Sequence, residues 1–387
     1  MSRTSRRAGF TLVEILVGIT VSSVVLLAVA ATVIAVNNVF NGHSVSKQAV
    51  ENGRVAMDYV ERTVRLAGYG LDPSLAFDFS TATIPGATKD NYTEAPAGPV
   101  PWGTFVTDDL AFRYRDPSYL RRGRLGSGGP PFTLTLDAAT HFDESFRAGQ
   151  ALMLACPGGA MNFLARLDAD VAATANTATL TAAIAGQTPP ACLGSSGGEA
   201  PFVMLVHERR LRILPFGGRP YLVVQHGWQA DADSDPLAVD VESFQVSYVM
   251  NRPPSDSTCC AAQPAPDATG NWVFGDATGA DALPRPTDSA PTYDTPYDSA
   301  TRFNGNPANI RAIRVGLTVR SSRLMPTRTL SAARLLGNSP AAGVPDSYFR
   351  TTLESSVRVP NMTSRAFFIP ALRNSENPQD RKNLWGG

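Results

Sequence analysis

From Ile15 to Val36 the chain runs 22 residues without a single charge. As a helix rising about 1.5 Å per residue, that run is about 33 Å long, enough to cross a hydrocarbon core. Arg3, Arg6 and Arg7 stand just ahead of it. The positive-inside rule keeps that end in the cytoplasm. The expectation is a single-pass membrane protein with a cytoplasmic N-terminus and its body on the far side. Glu14 interrupts this simple reading, because it sits between Val13 and Ile15 at the mouth of the run. A carboxylate at that depth costs free energy and asks for a partner.

Two ordinary explanations compete. Glu14 can snorkel to the interface of a plain anchor helix. Alternatively, residues 1–30 read as a secretory signal peptide, with Ala28-Val29-Ala30 as the small-x-small cleavage site. The body would then be an exported enzyme or binding domain. Against the signal peptide, the apolar run continues past Ala30 to Val36 and helical patterning continues beyond it.

The hexapeptide Gly9-Phe10-Thr11-Leu12-Val13-Glu14 resembles the processing site of type IV prepilins and pseudopilins. The resemblance implies cleavage between Gly9 and Phe10 by prepilin peptidase, followed by N-methylation of Phe10. It makes Glu14 the fifth residue of the mature chain. There its carboxylate pairs with a mature N-terminal amine, its own or a neighbour's, which offsets desolvation and sets the register between subunits. Major pilins of this family commonly carry a Pro within the membrane segment. Here no Pro precedes Pro73, which points to a minor subunit.

Beyond the membrane, Asn37 to Ala67 contains no Pro and only two Gly, Gly42 and Gly53. Val50, Met57, Val60, Val64 and Ala67 share one helical face. Asp58 with Arg62, and Glu61 with Arg65, stand at i,i+4 spacing on the wet side. Gly68 and Gly70 are expected to end the helix. The spacing predicts one helix of about 55 residues and about 80 Å; a break near Asn37–Gly42 would instead make a separate stalk. The segments Asn52–Met57 and Val64–Gly70 are similar to the PilW-type minor pilins, as are Val241–Tyr248 and Ala371–Asn374.

The rest reads as β-rich. Leu110, Phe112 and Tyr114 alternate with Arg113 and Arg115; Phe132, Leu134 and Leu136 with Thr133 and Thr135. Phe244, Val246 and Tyr248 alternate with Gln245 and Ser247; Ile313, Val315, Leu317 and Val319 with Arg314, Thr318 and Arg320. These predict half-buried antiparallel strands. The apolar runs Ala151–Ala155, Phe202–Val206 and Tyr221–Val224 suit strands too. Residues 251–309, rich in Pro, Asp, Ser, Thr and Ala, predict a long irregular insertion, and residues 72–103 a shorter one.

Charge balances at 34 basic against 34 acidic residues, which gives no global pull on nucleic acid. Only Lys47, Lys89 and Lys382 are lysines; the scattered Arg excess reads as a compositional habit. Cys156, Cys192, Cys259 and Cys260 allow three pairings among which sequence does not choose. Cys156 with Cys192 is preferred, while Cys259 and Cys260 bridge each other or stay reduced; four free thiols is the other reading. There is no Walker loop, no G-x-S-x-G, no H-E-x-x-H and no G-x-G-x-x-G, and His43, His141, His207 and His226 are dispersed. Asp231, Asp233, Asp235 and Glu242 echo a calcium loop, but Pro236 replaces its turn glycine, and a polar turn is the favoured reading.

The sequence therefore predicts an α+β, pilin-like chain that is not an enzyme and holds no cofactor. Residues 1–9 are a basic leader, 10–36 the transmembrane and filament-core helix, 37–70 its amphipathic extension, and 71–387 a β-rich periplasmic body. The implied function is a minor pilin in initiation or tip assembly of a type IV pilus. The implied partners are prepilin peptidase, other minor pilins, the major pilin and the inner-membrane assembly platform. A minor pseudopilin of type II secretion is the alternative within the family.

Overall fold

The computed structural model describes residues 10–78, 107–137, 140–157, 162–183, 188–194, 198–250, 270–274, 310–325 and 346–363. A single helix, α1, runs unbroken over Leu12–Val64. Its continuity through Asn37–Gly42 removes the separate-stalk alternative. Its end comes earlier than expected: the last helical residue is Val64, and a chain of turns follows through Gly70. Gly68 and Gly70 still matter, since both have positive φ, 76° and 67°, a region that favours glycine. The Gly68 N–H donates to the Arg113 carbonyl at 2.9 Å, which ties the turn to the sheet.

Twelve strands follow among the described residues: β1 Leu110–Leu125, β2 Phe132–Leu136, β3 Ala151–Ala155, β4 Asn162–Leu167, β5 Thr177–Ala183, β6 Phe202–Phe216, β7 Arg219–His226, β8 Asp235–Val239, β9 Val241–Met250, β10 Trp272–Phe274, β11 Ile310–Arg320 and β12 Arg350–Arg358. All named pairings are antiparallel. Strand β10, paired to β9, lies within the span read as one irregular insertion; residues 251–269 and 275–309 of that span lie outside the described residues.

Two cores organise the body. Strand β1 pairs with β2 at one end and with β6 along the rest, so β1-β2-β5-β4-β3-β6 close into a six-stranded ring. Alternation along its strands decides what faces where. Leu134, Leu152, Leu154, Phe163, Ala165, Val203 and Leu205 fill its interior. The intervening Met153, Leu164 and Met204 face the other way and pack against Leu71 and Leu75, just past the helix. The interior is packed with side chains and makes a solid module.

The second core joins the helix to the remaining strands. Ala56, Met57, Val60 and Val64 of α1, with Ala67 in the turn after it, pack with Phe77, Leu110, Phe112, Leu222, Val224 and the residues of a sheet ordered β10-β9-β11-β12. The helix lies closest to β12, β11 and β8. Gly53 marks its tightest approach: a Cβ there would come within 2.5 Å of Leu353 Cδ1. Two strands expected to be half-buried, β9 and β11, are buried on both faces: Gln245 and Ser247 are inaccessible along with Phe244 and Val246, and Ala312 and Thr318 along with Ile313 and Leu317. At the start of β1, Arg113 is buried along with Phe112.

Candidate functional site

The head of α1 is built by its own sequence. Thr11 is the N-cap and Glu14 occupies the third helical position, forming a reciprocal capping box. The Glu14 N–H donates to Thr11 Oγ1 at 3.3 Å, while Thr11 N and Oγ1 both donate to Glu14 Oε2 at 3.0 Å. The Thr-x-x-Glu spacing was the available signal, and sequence reasoning passed over it in favour of an amine partner. Within one chain, Glu14 is thus held by its own cap. Phe10 lies just ahead of the helix and is 83% exposed. Gly9 and the leader arginines Arg3, Arg6 and Arg7 lie outside the described residues.

Beyond the cap, the helix is bare. Its most apolar window is 0% buried against the body and is long and apolar enough to cross a membrane. Ile15, Leu16, Ile19, Leu26, Leu27 and Ile34 are all exposed. Contiguous apolar surface on this scale requires lipid or other apolar helices around it. The buried face begins only at Ala49. Of the two expected surface pairs, Asp58 and Arg62 meet at 2.7 Å, whereas the Glu61 carboxylate accepts from the Ser355 hydroxyl of β12 and so helps dock the helix.

The other candidate residues fall elsewhere. Cys156 and Cys192 form a disulfide with Cα atoms 6.0 Å apart, joining the end of β3 to the turn at Ala191–Leu193 beside the ring's interior. Cys259 and Cys260 lie outside the described residues. The four acidic residues that echo a calcium loop are spread over three elements. Asp231 and Asp233 lie in a short 3-10 turn, Asp235 opens β8, and Glu242 is buried in β9. Asp231 accepts from Arg212 at 2.8 Å, and Glu242 from Arg350 at 2.7 Å and Arg320 at 3.1 Å. Asp231 and Glu242 therefore already answer arginines. Among the described residues no group of three or more His, Cys, Asp or Glu is placed to hold a metal.

Several of the arginines read as a compositional habit are structural. Arg113 bonds Glu208 at 2.7 Å and pairs with Asp78, and Arg166 reaches the same Glu208 at 2.8 Å. Arg210 pairs with Asp109, and Arg219 and Arg320 both approach Asp240. The planar guanidinium, with several fixed donors, suits such shared buried carboxylates better than lysine does. Two histidine environments stand out by charge. Burial pushes the Asp116 carboxyl up, but bonds from Ser118 and from His207 at 2.9 Å outweigh it and bring it down to about 2. Burial, then the adjacent Arg209, lowers His226 to about 4.

Comparison with known proteins bears on both ends of the chain. A family model described as the prokaryotic N-terminal methylation motif matches residues 4–30. A second, described as type IV pilus-assembly protein W, matches residues 216–361, which span β7 through β12. Among solved structures, a type IV-like pilin from Thermus thermophilus is similar at 15% identity over 56% of this chain and 86% of that one; the two superpose poorly, with a TM-score of 0.19. No curated protein matches the sequence. By the two family matches the chain resembles the type IV prepilins of the PilW type, which are structural proteins of pili.

Proposed function

We propose that this chain is a minor pilin, cut between Gly9 and Phe10 by prepilin peptidase, N-methylated at Phe10, and built into the initiating or tip complex of a type IV pilus. The observation that carries the reading is a methylation motif at the head of one seamless helix whose first half is wholly exposed, on a chain that also matches a pilus-assembly family. An anchor alone needs no such motif. Before assembly the bare half sits in lipid; in the filament, apolar helices of other minor pilins and the major pilin replace lipid, on the inner-membrane assembly platform. Glu14 exchanges its intrachain cap for the amine of a neighbouring subunit, which fixes axial register. The ring of β1 to β6 adds bulk to the body, and such bulk is easier to place once at a tip than repeatedly along a thin shaft.

The test is the mass of the mature N-terminal peptide from the native host. A peptide beginning with N-methylated Phe10 supports the reading. A start near Ala31 would make the chain an exported soluble protein and overturn it. Co-purification with a secretion apparatus instead of pili would move the chain to the pseudopilins.

A further inference from the structure

Past the end of α1 an apolar strip reaches the surface. Leu66 and Tyr69, in the turns after the helix, and Leu120, where β1 enters the ring, are 42%, 39% and 49% exposed. The Arg115 guanidinium links them. Its carbon lies 5.9 Å from the centre of the Tyr69 ring, and its Nη1 donates to Met204 Sδ at 3.4 Å. Met204 stands directly opposite Leu120 in the β1–β6 register, so the two share a face of the sheet. Two residues along β6, Phe202 stands opposite Arg122, whose guanidinium carbon lies 3.8 Å from the centre of the Phe202 ring. The strip therefore crosses the join between the helix end and the ring, and needs both to exist.

Its arginines differ from the others of the body. Arg113, Arg210, Arg212 and Arg350 each meet a carboxylate within the fold. Arg115 meets none among the described residues: Nη1 has a thioether sulfur, a weak acceptor, and Nε is buried without a partner. Arg122 has Glu199 at 3.6 Å, itself exposed. The strip is thus apolar at its centre and carries an excess of positive charge. Tyrosine, phenylalanine, methionine and arginine are the residues that the centres of protein–protein contacts favour. Other occupants fit less well. From Val36 to Val64 the helix rises about 42 Å, which puts the strip far from any lipid around the bare half. Two arginines with Glu199 beside one of them are too few to hold a phosphate backbone. A twofold contact of the chain with itself would set four arginines against two copies of Glu199.

We propose that this strip docks the body of a different pilin subunit, one that presents an apolar centre flanked by carboxylates closing on Arg115 and Arg122. The inference rests on the minor-pilin reading and deepens it, by naming the surface through which the chain meets its neighbour. Leu66, Tyr69 and Leu120 supply the apolar contact, and the arginines select an acidic partner.

The experiment measures binding of the full chain in neutral detergent to each of the native host's other chains that begin with a prepilin methylation motif, purified full-length and added one at a time. We expect one of them to bind, more weakly as salt rises, and Leu120→Asp and Arg115→Glu each to weaken that binding at least about ten-fold. Unchanged circular-dichroism melts show that the variants are folded; Arg122→Glu replaces either one that is not. Binding to none of these chains, or equal binding by the variants, would overturn the proposal. So would a dimer of the chain alone that Leu120→Asp dissolves, which makes the strip a self-contact, or retention of a single-stranded oligonucleotide that Arg115→Glu abolishes, which makes it a nucleic-acid surface. The mature N-terminus separates the two readings. A chain starting near Ala31 overturns the pilin reading itself, whereas a chain starting at N-methylated Phe10 whose variants bind as the parent does overturns only the strip.

Discussion

At the scale of single residues, the carboxylates decide most. Glu14 is satisfied by Thr11 inside one chain, so its role in assembly is to trade one partner for another. We expect Glu14→Ala to be processed normally but to enter filaments poorly, as read by comparing cleaved protein in membranes with protein in sheared pili; normal entry would remove the pairing argument. His226 makes a second prediction. Its folded value, near 4, lies below the ordinary 6.5 because burial and Arg209 disfavour the charged ring. The unfolded chain therefore binds the proton first. The contribution of the neutral ring is complete above pH 6.5 and is lost as pH falls toward 4. Urea midpoints of a soluble fragment starting at Asn37 should fall across that window, and His226→Gln should flatten the fall. The arginine partners could not be read from sequence at all: Arg113 and Glu208 stand 95 positions apart, and Glu242 and Arg350 stand 108 apart. Only the fold brings such pairs together, and no local pattern encodes them.

At the scale of elements, the helix was legible, and β4, β5, β8, β10 and β12 were not. Freedom from Pro, a 22-residue uncharged run and a 3.6-residue apolar stripe act locally, so α1 announces itself. Strands β2 and β11 did so through alternation, with one face buried in β2 and one face wholly apolar in β11. Strand β12, RTTLESSVR, did not: most of its residues are only partly covered where it lies beside α1, so no apolar period develops. Strand β8 is five residues long and contains Pro236. The docking of the helix is where a substitution should be felt. Gly53 faces Leu353 at 2.5 Å and Val319 at 3.2 Å from an ideal Cβ, so a larger side chain must push the helix off the sheet. Gly53→Val should cost about 1–3 kcal/mol by overpacking, measured as a drop in urea midpoint of the same fragment. Val55→Leu, on the exposed face, should change little.

At the scale of the whole molecule, the six-stranded ring is an insertion into a hairpin. Arg115 and Val206 face each other in the β1–β6 register, and everything between them in sequence belongs to the ring and its connections. Sequence alone did not show this, because ring closure depends on β1 choosing two partners at different points along its length. Replacing residues 116–205 by Asn-Gly should close an ordinary two-residue hairpin. Glu208→Gln must accompany the change, since Arg166 leaves with the ring and would strand buried charge. We expect the helix and its sheet to remain folded, with helical circular dichroism and protease resistance of the α1–β11–β12 unit retained. Loss of both would make the ring integral to the fold. The seamless helix also has a mechanical meaning. From Ala49 to Val64, about 23 Å at helical rise, its buried face is fastened along the flank of the body. A pull on its N-terminal end therefore arrives as shear, with the contacts sharing the load side by side instead of peeling one after another. The tension passes from helix into β11 and β12, and the ring, branching from a hairpin to one side, rides along as unloaded cargo.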